Sequence, residues 1–98
     1  VNNNVPSGFS LWQNYPNPFN PSTKIKFNIP AASVRPTDIV LLTIFDNLGR
    51  EVAVLVNKDL KIGSYTVDFN ASTLTSGVYF YKITAGDYTD TKKLVLVK

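Results

Sequence analysis

The 98-residue chain contains no cysteine, no histidine and no methionine. Without cysteine the fold carries no disulfide and no thiol chemistry. Without histidine it lacks the commonest general base and neutral metal ligand, and a serine triad of the usual kind cannot be assembled. Long apolar runs are missing too, so no segment has the length of a membrane helix, and no signal-peptide pattern is visible. No apolar spacing of helical period persists for three turns. The absence of methionine, with Val1 at the start, makes a piece of a longer protein the expectation. The polar, turn-rich opening of residues 1–8 is expected to be a linker from a preceding domain, with residues 9–98 as one domain.

What remains is a mildly basic chain with 10 Lys plus Arg against 7 Asp plus Glu, a formal net charge of +3. Apart from the Lys92-Lys93 pair the cations are scattered. A nucleic-acid footprint would cluster them beside exposed aromatics. Solubility and protection of sheet edges explain them more simply. The acids fall largely in turn-like stretches, and nothing sets two of them across a cleft as glycoside hydrolysis requires. Asp46-Asn47-Leu48-Gly49 lacks the alternating acids and the distant glutamate of a calcium loop, so it reads as a turn. No Gly-rich phosphate loop is present. The sequence therefore points away from an enzyme, and it implies no cofactor and no metal.

The apolar pattern is that of short strands separated by turn residues. Ile25, Phe27 and Ile29 alternate with Lys24, Lys26 and Asn28, as in a half-buried strand. Pro30 ends it, and Ala31 to Thr37 reads as a loop stiffened by Pro36. Ile39 to Phe45 is apolar at nearly every position, so a central strand covered at least partly on both faces is expected. A return strand from Glu51 to Val56 should place Val52 and Val54 on one face. Tyr65, Val67 and Phe69 alternate, as do Tyr79, Tyr81 and Ile83, and Leu94 with Leu96 faces away from Val95 with Val97. Phe9, Leu11 and Gln13 suggest a short first strand. Together these predict an all-β, immunoglobulin-like sandwich of about seven mainly antiparallel strands.

The least ordinary stretch is Asn14-Tyr15-Pro16-Asn17-Pro18-Phe19-Asn20-Pro21, with three prolines, three asparagines and two aromatic rings in eight residues. Each proline fixes its own φ, removes a donor and biases the residue before it away from helix. A stiff, kinked, extended ribbon follows. Its residue types favour a conformational clamp between strands over a recognised surface, with Tyr15 and Phe19 turned into the core as plugs. Trp12, on a peripheral strand, is the best candidate for a partly exposed ring. It makes a carbohydrate-binding or adhesive module the alternative reading.

The ribbon also carries a family resemblance. LWQNYPNPFNPSTKIKF resembles the opening of the C-terminal sorting domain of type IX secretion cargo proteins, and of the related immunoglobulin-like domain named after the flagellar hook-capping protein. FDNLGREV with Gly49 and Arg50, then Leu60 and Gly63, SGVYFYKI and the terminal TKKLVLVK continue the match over positions 9 to 98. Phe69 stands where the family commonly has tryptophan, and the Ala31–Asp38 link is longer than usual. The resemblance implies a non-catalytic secretion address. It implies an outer-membrane translocon and a shuttle protein as readers, and in many relatives a sortase-like peptidase that removes the domain and attaches the cargo to lipopolysaccharide. The cargo would be secreted or displayed on the surface of a Gram-negative bacterium, via the periplasm. On this reading Lys98 ends the parent protein. The recognised parts are expected in Gly77-Val78-Tyr79 and in the terminal strand Lys92-Lys93-Leu94-Val95-Leu96-Val97-Lys98, whose free edge could pair with a partner. The ribbon from Asn14 to Pro21, with Gly49 and Arg50, is expected to be structural.

Overall fold

A computed structural model describes residues 8–30 and 39–98. The expected loop at 31–37 and nearly all of the 1–8 linker lie outside the described residues. Seven strands follow in order: β1 Ser10–Leu11, β2 Ser22–Ile29, β3 Val40–Asp46, β4 Glu51–Lys58, β5 Gly63–Asn70, β6 Gly77–Ala85 and β7 Tyr88–Leu96. They form two antiparallel sheets, ordered β1-β2-β5 and β4-β3-β6-β7, packed as a sandwich. The all-β, seven-strand reading therefore stands.

Period-two alternation builds the core as the sequence predicts. Ile25, Phe27 and Ile29 of one sheet face Val40, Leu42, Ile44, Tyr81, Ile83, Leu94 and Leu96 of the other, all fully buried. Phe69 closes the core beside Phe19, with ring centroids 6.0 Å apart. The Asp46–Gly49 turn is held by its aspartate, whose Oδ1 accepts from the amides of Leu48 and Arg50 at 2.9 Å each. Gly49 takes φ +84, which a side chain would strain.

Three expectations need adjustment. The first strand shrinks to Ser10–Leu11: Phe9 stacks on Tyr88 at 4.2 Å, and Gln13 lies beyond the ladder. Val52 and Val54 do not share a face. The β3–β4 register shifts twice, so β4 carries two extra residues, and each bulge resets the alternation. Val52 packs on the core while Val54 is exposed. Finally, β3 is central in its sheet, but only its Val40, Leu42 and Ile44 face lies inside the sandwich. Leu41 is exposed and Phe45 half-buried on the outer side.

Candidate functional site: the ribbon and the terminal strand

The ribbon leaves β1, follows the edge of β2 as far as Tyr15 and then runs beside β7 before it turns into β2. Its first anchor is Asn14, 2 % exposed. The Asn14 amide nitrogen donates to Thr23 Oγ1 (3.0 Å) and to the Pro16 carbonyl (3.1 Å), while its Oδ1 accepts from Gln13 Nε2 (2.7 Å). The Thr23 hydroxyl donates to the same Pro16 carbonyl at 2.8 Å. The backbone N–H of Asn14 donates to the Tyr81 hydroxyl (2.8 Å), which donates in turn to the Trp12 carbonyl (2.6 Å). A buried polar network is stable only when its members are paired, and this one ties both sheets to the ribbon. Burial pushes the Tyr81 phenol up to about 12.

Tyr15 corrects the expectation of two plugs. It exchanges backbone bonds with Lys24 at 3.1 Å in each direction, and its ring is 81 % exposed. Neighbouring residues of an extended chain point to opposite sides. Asn14 takes the inward position, where its amide satisfies the local backbone, so Tyr15 must face out. Phe19 is the plug, 2 % exposed. The peptide bonds before Pro16, Pro18 and Pro21 are cis.

On both sides of Tyr15 the chain makes contacts with β7. Gln13 Nε2 donates to the Lys93 carbonyl (2.6 Å), and Asn17 Oδ1 accepts from the Val95 N–H (3.0 Å). The Phe19 N–H donates to the Val95 carbonyl (2.9 Å), and the Phe19 carbonyl accepts from the Val97 N–H (3.0 Å). Phe19 thus makes a parallel bridge to Leu96. The terminal strand has no free edge between Lys93 and Val97, and the open-edge mechanism is corrected there. Two side-chain amides, of Gln13 and Asn17, and one residue of backbone, Phe19, substitute for an eighth strand. Sequence reasoning missed Gln13, Thr23 and the Tyr81 hydroxyl as members of this constellation. One signal could have found the last: a tyrosine on a buried face needs a partner for its hydroxyl.

Two segments predicted to act together are brought together. Gly77, Val78 and Tyr79 pair with Leu96, Val95 and Leu94. Tyr79, Leu94 and Leu96 are buried, whereas Gly77, Val78, Lys93, Val97 and Lys98 are exposed and Lys92 and Val95 half-exposed. Lys98 closes the strand, its N–H on Ser76 Oγ (2.9 Å) and its Nζ on the Ser72 carbonyl (2.6 Å). Gly49 and Arg50 stand apart, in the β3–β4 turn. Arg50 Nε meets Asp46 Oδ2 at 2.8 Å. The Arg50 amide, then its guanidinium and the Leu48 amide, hold the Asp46 carboxyl below its ordinary range.

Trp12 is 40 % exposed, as expected of a peripheral ring. The Lys26 ammonium sits 5.0 Å from its centroid and occupies one of the two faces a sugar would stack on. Among the described residues no three carboxylates cluster as metal ligands, and no helix is long and apolar enough to cross a membrane.

The fold and this anchored terminal strand are those of a small β-sandwich module whose last strand is part of its core. The chain matches the family described as the secretion system C-terminal sorting domain over residues 13–98. It belongs to that family: it is a C-terminal sorting signal for type IX secretion, and cargo carrying such a signal is secreted through the outer membrane. No curated protein matches the chain.

Proposed function

We propose that the domain is read as a folded, non-catalytic address by the type IX outer-membrane translocon and a shuttle protein, on behalf of a passenger joined to its amino-terminal side through residues 1–8. The observation that supports this most is the pairing of Gly77, Val78 and Tyr79 with Leu96, Val95 and Leu94. It joins the two segments expected to be recognised into one surface whose inner side chains hold the core. Recognition then depends on folding, because the strand that carries the signal also supplies Leu94 and Leu96 to the interior. After transport the cargo is either released or attached to the surface by a sortase-like peptidase.

The test is export of a periplasmic reporter fused to the domain, in a host with type IX machinery. The intact domain carries the reporter to the medium or cell surface. Removal of Leu94 to Lys98 leaves it in the periplasm. Equal export with and without those residues defeats the reading. A second expectation follows from the signal role: the purified domain turns over no ester, peptide or glycoside. Turnover that survives repurification and disappears on mutating one aspartate would contradict it.

A further inference from the structure

We infer that the outer face of the β4-β3-β6-β7 sheet is a docking surface for a protein partner that presents aliphatic side chains flanked by carboxylates. The inference rests on the sorting reading above and assigns its contact.

An apolar run with no alternation marks a strand covered on both faces. Ile39 to Phe45 is such a run, yet the sandwich covers only one of its faces. Neighbouring strands continue the uncovered side. Phe45 pairs with Phe80, Val78 with Val95, and Thr43 with Val54. Leu41, Val54 and Val78 are exposed, and Phe45, Phe80 and Val95 are half-exposed without packing on the core. In their midst Thr43 is 3 % exposed, and its hydroxyl has no hydrogen-bond partner among the described residues. The opposite sheet is different. Its outward residues pair Lys24 with Asp68, Lys26 with Thr66 and Asn28 with Ser64, as a solvated face does. The exposed rings on that side, Trp12 and Tyr15, flank Lys26 and Lys24 at the edge of β2, whereas the apolar positions of the larger sheet run across all four of its strands.

Geometry and charge choose the occupant. Both edges of the larger sheet are blunted, β7 by the ribbon over Lys93–Val97 and β4 by its two bulges, so strand addition is disfavoured and the flat face is the remaining route. Four strands of seven to nine residues present roughly 400–500 Å². A stable dimer needs about 800 Å² from each partner, so the area argues against a second copy and for a transient contact. The outward positions carry Lys82 and Lys93, both exposed, against Glu51 alone. A complementary surface is therefore acidic. Two lysines and a few half-covered side chains are too little to hold the domain on an anionic bilayer, where each basic residue contributes about 1 kcal/mol.

The same reporter fusion tests this. Lys82→Glu with Lys93→Glu should lower export about tenfold or more, since like charges meeting across an interface are strongly disfavoured. Lys24→Glu with Lys26→Glu, the same charge change on the opposite face, should stay within about twofold. Val78→Thr with Val95→Thr, near-isosteric and β-branched, should also lower export while the melting temperature of the purified domain holds. If the intact domain is not exported, the sorting reading falls and takes this inference with it. Export of the intact domain with equal export of all three variants overturns the docking face alone, as does an equal loss from both charge reversals. Two further results overturn the acidic-protein partner: a dimer in sedimentation that Lys82→Glu with Lys93→Glu dissociates, or lysine-dependent binding to vesicles of equal parts phosphatidylglycerol and phosphatidylcholine.

Discussion

Tyr15 and Phe19 lie four residues apart in the same ribbon and do opposite things. Phe19 fills the core against Phe69 and bridges β7, whereas Tyr15 holds its place by backbone bonds alone and shows its ring to solvent. Ring type does not separate them, since both are large aromatics flanked by proline. What separates them is their neighbours. Asn14 beside Tyr15 claims the interior with a side chain that can satisfy three polar partners, and nothing polar competes with Phe19. A ribbon with so many prolines is thus clamp and surface at once, divided by which residue meets the buried network.

The comparison can be broken at several points. Phe19→Ala should cost about 3–5 kcal/mol, the usual loss for a buried ring, read from denaturant midpoints at constant m. A midpoint equal to that of the parent would mean that the ring is not a plug. Asn14→Ala comes next, at about 1–3 kcal/mol, because the buried Thr23 hydroxyl loses its donor and the Pro16 carbonyl loses one of its two. Tyr81 sharpens the polar half of the comparison through pH. Its phenol is raised from the ordinary value of 10.0 to about 12 in the fold. The unfolded chain therefore releases this proton first, so stability present below pH 10 is lost as pH rises toward 12. Melting curves across that range should show the fall, and Tyr81→Phe should weaken its slope while lowering the melting temperature at neutral pH. Smaller again is Asn17→Ala, which returns the Val95 N–H to water at an exposed edge and should cost under about 1 kcal/mol. Tyr15→Ala should stay within about 0.5 kcal/mol, as for a surface side chain with no buried contact. A larger loss would place the ring against the fold.

Most strands were legible because burial on one face writes itself as alternation. Ile25-Phe27-Ile29, Tyr79-Tyr81-Ile83 and Leu94-Leu96 needed only the two-residue period. The nature of the ribbon was legible for the same local reason, since proline acts on its own φ and on the residue before it. Recognition of the family rested on residues spread over nearly the whole chain, and the match over 13–98 agrees.

Other features depend on which distant segments come together, and no local period encodes that. The bulges in β4 belong to a pairing with β3, so the reversed faces of Val52 and Val54 could not be read from β4 by itself. The cap on β7 joins Gln13, Asn17 and Phe19 to residues about eighty positions away. Hydrogen-bonding capacity is a property of residue type, but its partner is a property of space. The apolar run at Ile39 to Phe45 shows the division most plainly. Composition made both of its faces apolar. The packing of two layers decided that one face would be covered from within, leaving the other for a surface outside the domain.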